Sequence, residues 1–226
     1  MLQLLKKNGL TKTWRSLQQL QPSLPQNSQS GFTILESLMA VVVTAVLMTA
    51  LSPVIVLSVA TRVQARRVEL AAQAARTYID GVRNGTIASP DQISSTSLSN
   101  FTAPVAPLPT CPPNSYCLGS QSLYCIDGDG SGNCTSNNSK DLIIQVFRDS
   151  TNPDNGYHLG LRVYRADAFN DNSPLLTNTT QATNATQATF TGRLGNRKAP
   201  LVEMTTEIVT SATNYGNLCG RLGGCQ

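Results

Sequence analysis

At 226 residues the chain is long enough for one domain with its own core, or for one domain with tails. Its net charge of +4 points to a polyanion partner only until the charges are located. Lys6, Lys7, Lys12 and Arg15 carry the whole excess, and beyond Gly31 thirteen cations face thirteen acids, so a nucleic-acid role read from the overall charge is excluded.

Residues 1–30 hold those four cations, Pro22, Pro25 and a run of Gln and Ser, a composition that favours neither helix nor strand. From Gly31 to Ala60 the sequence GFTILESLMAVVVTAVLMTALSPVIVLSVA is apolar, with no charged side chain from Ser37 onward. The run exceeds the ~20 residues that cross a hydrocarbon core as a helix, and it is too long for the core of an ordinary secretory signal. Cations before a membrane helix tend to stay cytoplasmic, which sends the rest of the chain outward. Glu36 is the anomaly, because a carboxylate among apolar residues costs roughly 2.5–3.5 kcal/mol unless it stays at headgroup level or finds a partner. Pro53 removes a backbone donor inside the run and predicts a kink or a short unwound stretch.

The string Ser30-Gly31-Phe32-Thr33-Ile34-Leu35-Glu36-Ser37, after a short basic leader and before an apolar helix, resembles the class III signal of type IV pilins and type II secretion pseudopilins. The resemblance implies cleavage by a prepilin peptidase between Gly31 and Phe32, methylation of the new amino terminus at Phe32, and pairing of Glu36 with the free amine of a neighbouring subunit. It also implies an α+β, type IV pilin-like fold: a long N-terminal helix packed on a small antiparallel β-sheet head with disulfides. The expected partners are other pilins or pseudopilins through the N-terminal helix, the prepilin peptidase and an inner-membrane assembly platform. No nucleic acid is expected. Pro53 falls where the family often has a helix-softening proline.

The division that follows is a cleaved leader (1–31), a transmembrane and filament-core helix (32–60), an amphipathic continuation (61–84) and a globular head (85–226). Beyond Ala60, Val68, Ala72, Ala75, Ile79 and Val82 recur at alternating spacings of four and three and define one apolar face, and Asn84-Gly85 supplies a helix stop. Residues 89–113 read as a surface loop.

All six cysteines lie in the predicted outer head: Cys111, Cys117, Cys125, Cys134, Cys219 and Cys225. An even number in an oxidising compartment argues for disulfides, with fifteen pairings open. Cys219 with Cys225 could close a C-terminal loop, and Cys125 with Cys134 could bracket the glycine-rich turn. Zinc is disfavoured, since no CxxC occurs and the one histidine, His158, stands far from the cysteines in sequence. Between Cys125 and Cys134, Asp127, Asp129, Ser131 and Asn133, with Gly132, have the spacing of the front half of a calcium loop. Asn138 stands where its final acid would be, with Asp141 three further on. Calcium is thus the one cofactor the sequence suggests, and an Asp/Gly turn between strands explains the same letters.

Three strands are predicted: 142–147, 157–165 and 201–209, the first two adjacent and antiparallel. Alternation turns Tyr157, Leu159, Leu161 and Val163 toward the helix, and His158, Arg162 and Tyr164 outward. Residues 172–189 form a low-complexity Thr/Asn/Ala tract. No nucleophile motif, phosphate-cradling loop or paired acids of an enzyme stand out.

The apolar run together with Thr61–Leu70 resembles cyanobacterial pseudopilins of the hormogonium polysaccharide secretion system. That narrower resemblance implies support of polysaccharide export and gliding motility. A minor pilin of a true type IV pilus, acting in adhesion, twitching or DNA uptake, is the alternative, and so is a calcium-dependent carbohydrate-binding head on a pilin stem.

Overall fold

The computed structural model describes residues 33–91, 101–177, 187, 196–221 and 223–224. The predicted leader, Gly31, Phe32 and Cys225 lie outside them, as does most of the 172–189 tract. The described residues divide into two units, one up to Ala50 and one from Leu51 onward.

One helix, α1 (Ile34–Arg83), crosses that division. Thr33 opens it: the Glu36 amide donates to Thr33 Oγ1 at 3.2 Å, and the Ser37 amide to the Thr33 carbonyl at 3.1 Å. Hydroxyls within the apolar stretch bond back to their own helix, Ser37 to the Ile34 carbonyl, Thr44 to those of Ala40 and Val41, and Thr49 to that of Val46. They therefore present little unmet polarity to an apolar surround. The helix runs through Pro53 with no unwound turn. It ends in a Schellman motif: Gly85, at φ +71°, donates to the Val82 carbonyl and Thr86 to that of Gly81, with Ile87 folded over Gly81.

In the second unit, five strands form one antiparallel sheet in chain order: β1 (Tyr116–Cys117), β2 (Ser120–Ile126), β3 (Leu142–Arg148), β4 (Tyr157–Arg165) and β5 (Val202–Ile208). A short helix, α2 (Tyr215–Arg221), follows. β3, β4 and β5 are the three predicted strands. β1, β2 and α2 were not predicted, although Leu123/Cys125 and Tyr124/Ile126 do alternate.

One sheet face packs on α1. Ala71, Ala74, Ala75, Tyr78, Ile79 and Val82 meet Ile144, Val146, Tyr157, Leu159, Leu161 and Val163 in a single buried cluster. The predicted helix face is shifted slightly, with Ala71 and Tyr78 buried and Ala72 at the margin. Alanines let the helix axis approach the sheet, so the larger strand side chains fill the space between.

The opposite face is covered too, which overturns the expected outward exposure of Arg162 and Tyr164. Both are fully buried. The covering layer comes from residues 101–111, predicted to be part of a surface loop, and from 166–175, which pack over Leu123, Ile143, Tyr164 and the disulfides. Phe101 stacks on Phe147 at 4.3 Å between centroids, and the Phe147 ring lies across Gly160, where a Cβ would come within 2.2 Å of it. That glycine in a central strand is there to admit the ring.

Two disulfides staple this layer: Cys111–Cys117 and Cys125–Cys134. Cys219 is disulfide-bonded as well.

Candidate functional site

Two regions carry chemistry, and each belongs to a different stretch of the fold. The first is the start of α1. Thr33-x-x-Glu36 is a capping-box sequence, so the acid has a local reason to stand in the first turn, where the positive end of the helix dipole also favours it. Glu36 is exposed, and so are the large apolar side chains that follow, from Ile34 (88%) through Met48 (75%) to Val59 (58%). An unbroken sleeve of exposed Val, Leu, Ile and Met is not tolerated in water, since patches far smaller than this already mark interaction surfaces. Among the described residues, α1 is long and apolar enough to cross a membrane. Residues 51–60 belong to the second unit and are exposed in the same way, apart from Ala60 at its inner end.

The second region is the loop between β2 and β3, which the Cys125–Cys134 bridge closes at its base. Asp127 organises it. Its Oδ1 accepts amides from Asp129 (3.2 Å), Gly130 (2.7 Å) and Ser131 (3.3 Å), and its Oδ2 accepts that of Gly132 (2.8 Å). Asp129 accepts the Ser131 amide and the Asn138 side chain. The hydrogen bonds from Ser131, with that from Asn138, hold the Asp129 carboxyl below the usual carboxylate range.

Asp141, at the far end of the loop, is drawn back by the β2–β3 register and accepts the amides of Gly128 and Thr135. Burial pushes its carboxyl upward, and the charges of Asp129 and Asp127 add to that. One oxygen from each of Asp127, Asp129 and Asp141 lies within 4.8 Å of the others. Three hard oxygen donors so close are a chemically fitting set for a calcium ion. Of the four expected ligands, two, Asp127 and Asp129, stand in this cluster. Asp141 joins the acids, while Ser131 Oγ donates to the Asn133 carbonyl, so those two residues engage each other. The loop amides already bonded to Asp127 account for the Asp/Gly spacing as a turn.

His158 is half-buried on β4. Its amide donates to Asp149 Oδ1 (2.8 Å) and its Nδ1 lies 2.6 Å from Asp149 Oδ2, which pins the β3–β4 hairpin.

A model of the prokaryotic N-terminal methylation motif matches residues 26–52, the stretch that ends within the exposed part of α1. No curated protein and no solved structure matches the chain. The motif match supports a type IV pilin-like subunit, and the helix-on-sheet fold with its disulfides agrees with that class. The apolar helix carrying the motif is consistent with a single-pass membrane anchor.

Proposed function

We propose that the chain is a minor pilin or pseudopilin, a structural subunit that resides in the inner membrane and is drawn into a type IV pilus-like or type II secretion-like filament. The methylation motif over 26–52, of which residues 34–52 lie on an exposed apolar helix, carries this reading. In it, a prepilin peptidase cuts between Gly31 and Phe32 and the amine of Phe32 is methylated. The leader cations keep the N-terminus cytoplasmic and the head outside. In the filament Glu36 of one subunit meets the Phe32 amine of the next. Each charge alone would be costly in an apolar helix bundle, and together they offset that cost and set the register. Pro53 would soften the helix for packing. The protein works by assembly and not by turnover.

Mass spectrometry of protein purified from membranes tests the reading: it should show a chain beginning at Phe32 with one added methyl group. Retention of the first 31 residues would sink it. Glu36→Ala should leave membrane insertion intact and reduce incorporation into filaments at least tenfold.

Two finer readings divide this class, and the resemblance of the apolar run and its Thr61–Leu70 extension bears on the first. The first is a pseudopilin of a polysaccharide secretion system, supporting polysaccharide export and gliding motility; the alternative is a minor pilin of a true type IV pilus. Gene deletion separates them, since loss of secreted polysaccharide with pili intact favours the first and loss of pili the second.

A calcium-dependent head is the second functional reading, favoured by the convergence of Asp127, Asp129 and Asp141. A cation there would neutralise three clustered carboxylates and rigidify the loop beside its disulfide. Calcium should then raise the melting temperature of the wild-type chain but not of Asp129→Asn. Equal melting with calcium and with chelator would remove calcium from the account.

A further inference from the structure

A cavity of about 570 Å³ lies in the second unit between α1 and the β2–β3 loop, within the size range of ligand pockets. Its apolar wall is made by Leu70 and Ala74 of α1, Ile126, Leu142 and Leu201. Three cations line it as well: Arg67, Lys140 and Arg165.

The three cations differ in their counter-charges. Arg67 and Lys140 have no ion pair among the described residues. Arg165 pairs with Asp167, yet it is 91% buried while its Nε and the second oxygen of Asp167 lack any partner. Burial and then the neighbouring Arg165 charge push the Arg67 guanidinium down, and the charge of Asp167 only partly offsets them. The acids of the adjacent loop do not relieve this, because their oxygens are turned to loop amides. An anion in the cavity would supply the counter-charge that Arg67 and Lys140 lack.

Position along α1 says which anion. The uncharged run ends at Thr61, and Arg62, Arg66 and Arg67 follow within about 10 Å of helix rise. With residues up to Ala60 in lipid, Arg67 stands at headgroup depth, where basic side chains meet lipid phosphates. The apolar wall begins at Leu70, one turn further on.

We propose that this groove is a binding site for an anionic membrane phospholipid, whose phosphate sits among Arg67, Lys140 and Arg165 and one of whose acyl chains lies against Leu70, Ala74, Ile126 and Leu142. The site rests on the membrane reading of the proposed function. Bound lipid would fix the head at the bilayer surface before assembly.

The full chain, reconstituted in phosphatidylcholine vesicles, is photolysed with a tracer phospholipid carrying a diazirine on one acyl chain, and the crosslinked peptides are mapped by mass spectrometry. A phosphatidylglycerol tracer should label both residues 34–60 and the groove peptides holding Leu70 and Ile126. A phosphatidylcholine tracer of the same chain should label 34–60 equally and the groove at least fivefold less. Arg67→Met, a substitution of a partly exposed residue, should lower groove labelling by phosphatidylglycerol to that level with the disulfides retained. Equal groove labelling by the two tracers, no labelling of the groove, or no effect of Arg67→Met would overturn the site while leaving the membrane reading intact. Absence of labelling at 34–60 would remove both.

Discussion

The hydroxyls of Tyr78 on α1 and Tyr116 on β1 lie 2.7 Å apart, and Tyr116 donates its own hydrogen to the Ala88 carbonyl, also at 2.7 Å. Tyr78 must therefore be the donor to Tyr116, because a hydroxyl has one hydrogen to give. This relay ties the far part of α1, the chain just beyond it and the first strand together. Tyr124 packs edge-on against both rings, at 5.0 and 5.3 Å between centroids.

The relay makes the head sensitive to alkali. Burial raises the Tyr78 phenol far above its ordinary range, the charge of Tyr116 adds to that, and burial raises Tyr116 as well. An unfolded tyrosine loses its proton near pH ~10. Above that pH the unfolded chain binds fewer protons than the folded one, so stability falls as pH rises. The melting temperature of the wild type should drop from about pH 10 upward, and Tyr78→Phe should flatten that slope. At neutral pH, Tyr78→Phe should cost about 1 kcal/mol, and Tyr116→Phe about 1–3 kcal/mol because it leaves the Tyr78 hydroxyl buried without its acceptor. Equal slopes in wild type and Tyr78→Phe would refute the relay.

Arg162 predicts the largest single loss in the sheet. Its Nε donates to Glu203 at 3.1 Å and its Nη1 to the Phe101 carbonyl at 2.6 Å, while the guanidinium lies 5.2 Å from the centre of the Phe147 ring. The side chain thus clamps the 101–111 segment onto the sheet and neutralises an acid on the neighbouring strand. Arg162→Met should destabilise by about 3–5 kcal/mol, as expected when one partner of a buried pair is removed. Glu203→Gln keeps an acceptor and should cost about 1–2 kcal/mol. Urea unfolding of the two variants reads the difference, and a loss below 1 kcal/mol for Arg162→Met would show that the clamp contributes little.

Arg162 also marks where the sequence stopped being legible. β4 could be read at its observed bounds because apolar and other residues alternate along it, and the helix-facing set was right. What alternation cannot report is a second layer on the other face, since that layer is built from residues 101–111 and 166–175, which have no periodicity. An arginine on the non-helix face of a strand looks solvated until Phe101, 61 positions away, is brought onto it. β2 escaped notice for a local reason: its cysteine and the Asp/Gly letters after it dominate the stretch. Asp141 was in view but unassigned, because only the β2–β3 pairing returns it to Asp127 and Asp129. Glu36 was the opposite case, a residue whose chemistry is so out of place among its neighbours that no tertiary information was needed to single it out.

The Cys125–Cys134 bridge closes a loop with a sequence separation of 9 and brings Cys134 into a one-residue bridge with Cys111, the partner of Cys117. Closing a loop of that size is worth about 2–3 kcal/mol through the unfolded chain. The double substitution Cys125→Ala, Cys134→Ala should cost that amount in denaturant unfolding. It should also speed hydrogen exchange at Gly130 and Gly132, whose amides Asp127 holds, more than at Ile144 in β3. Uniform acceleration across both would mean that the loop is not stabilised by its staple.

Lys198 anchors the long connection between β4 and β5. Its Nζ donates to the carbonyls of Ala168 (2.6 Å), Ser173 (3.1 Å) and Asp171 (3.3 Å), and it pairs with the Asp171 carboxylate. Hydrogen bonding from Lys198, then from Ser173, lowers the Asp171 carboxyl to about 2. A free aspartate titrates near ~3.9, so the contribution of this pair is complete above that pH. It is lost as the pH falls from there through about 2, where the folded carboxyl finally takes up its proton. Lys198→Met should destabilise by about 1.5–3 kcal/mol at neutral pH, since it removes a charged donor from carbonyls that face one another. It should also return the Asp171 titration, followed by NMR of the carboxyl carbon, toward the ordinary range and flatten the acid limb of the melting curve. If Asp171 in Lys198→Met still titrated near 2, the Ser173 amide, with Arg197 3.0 Å away, would have to be holding the carboxylate instead.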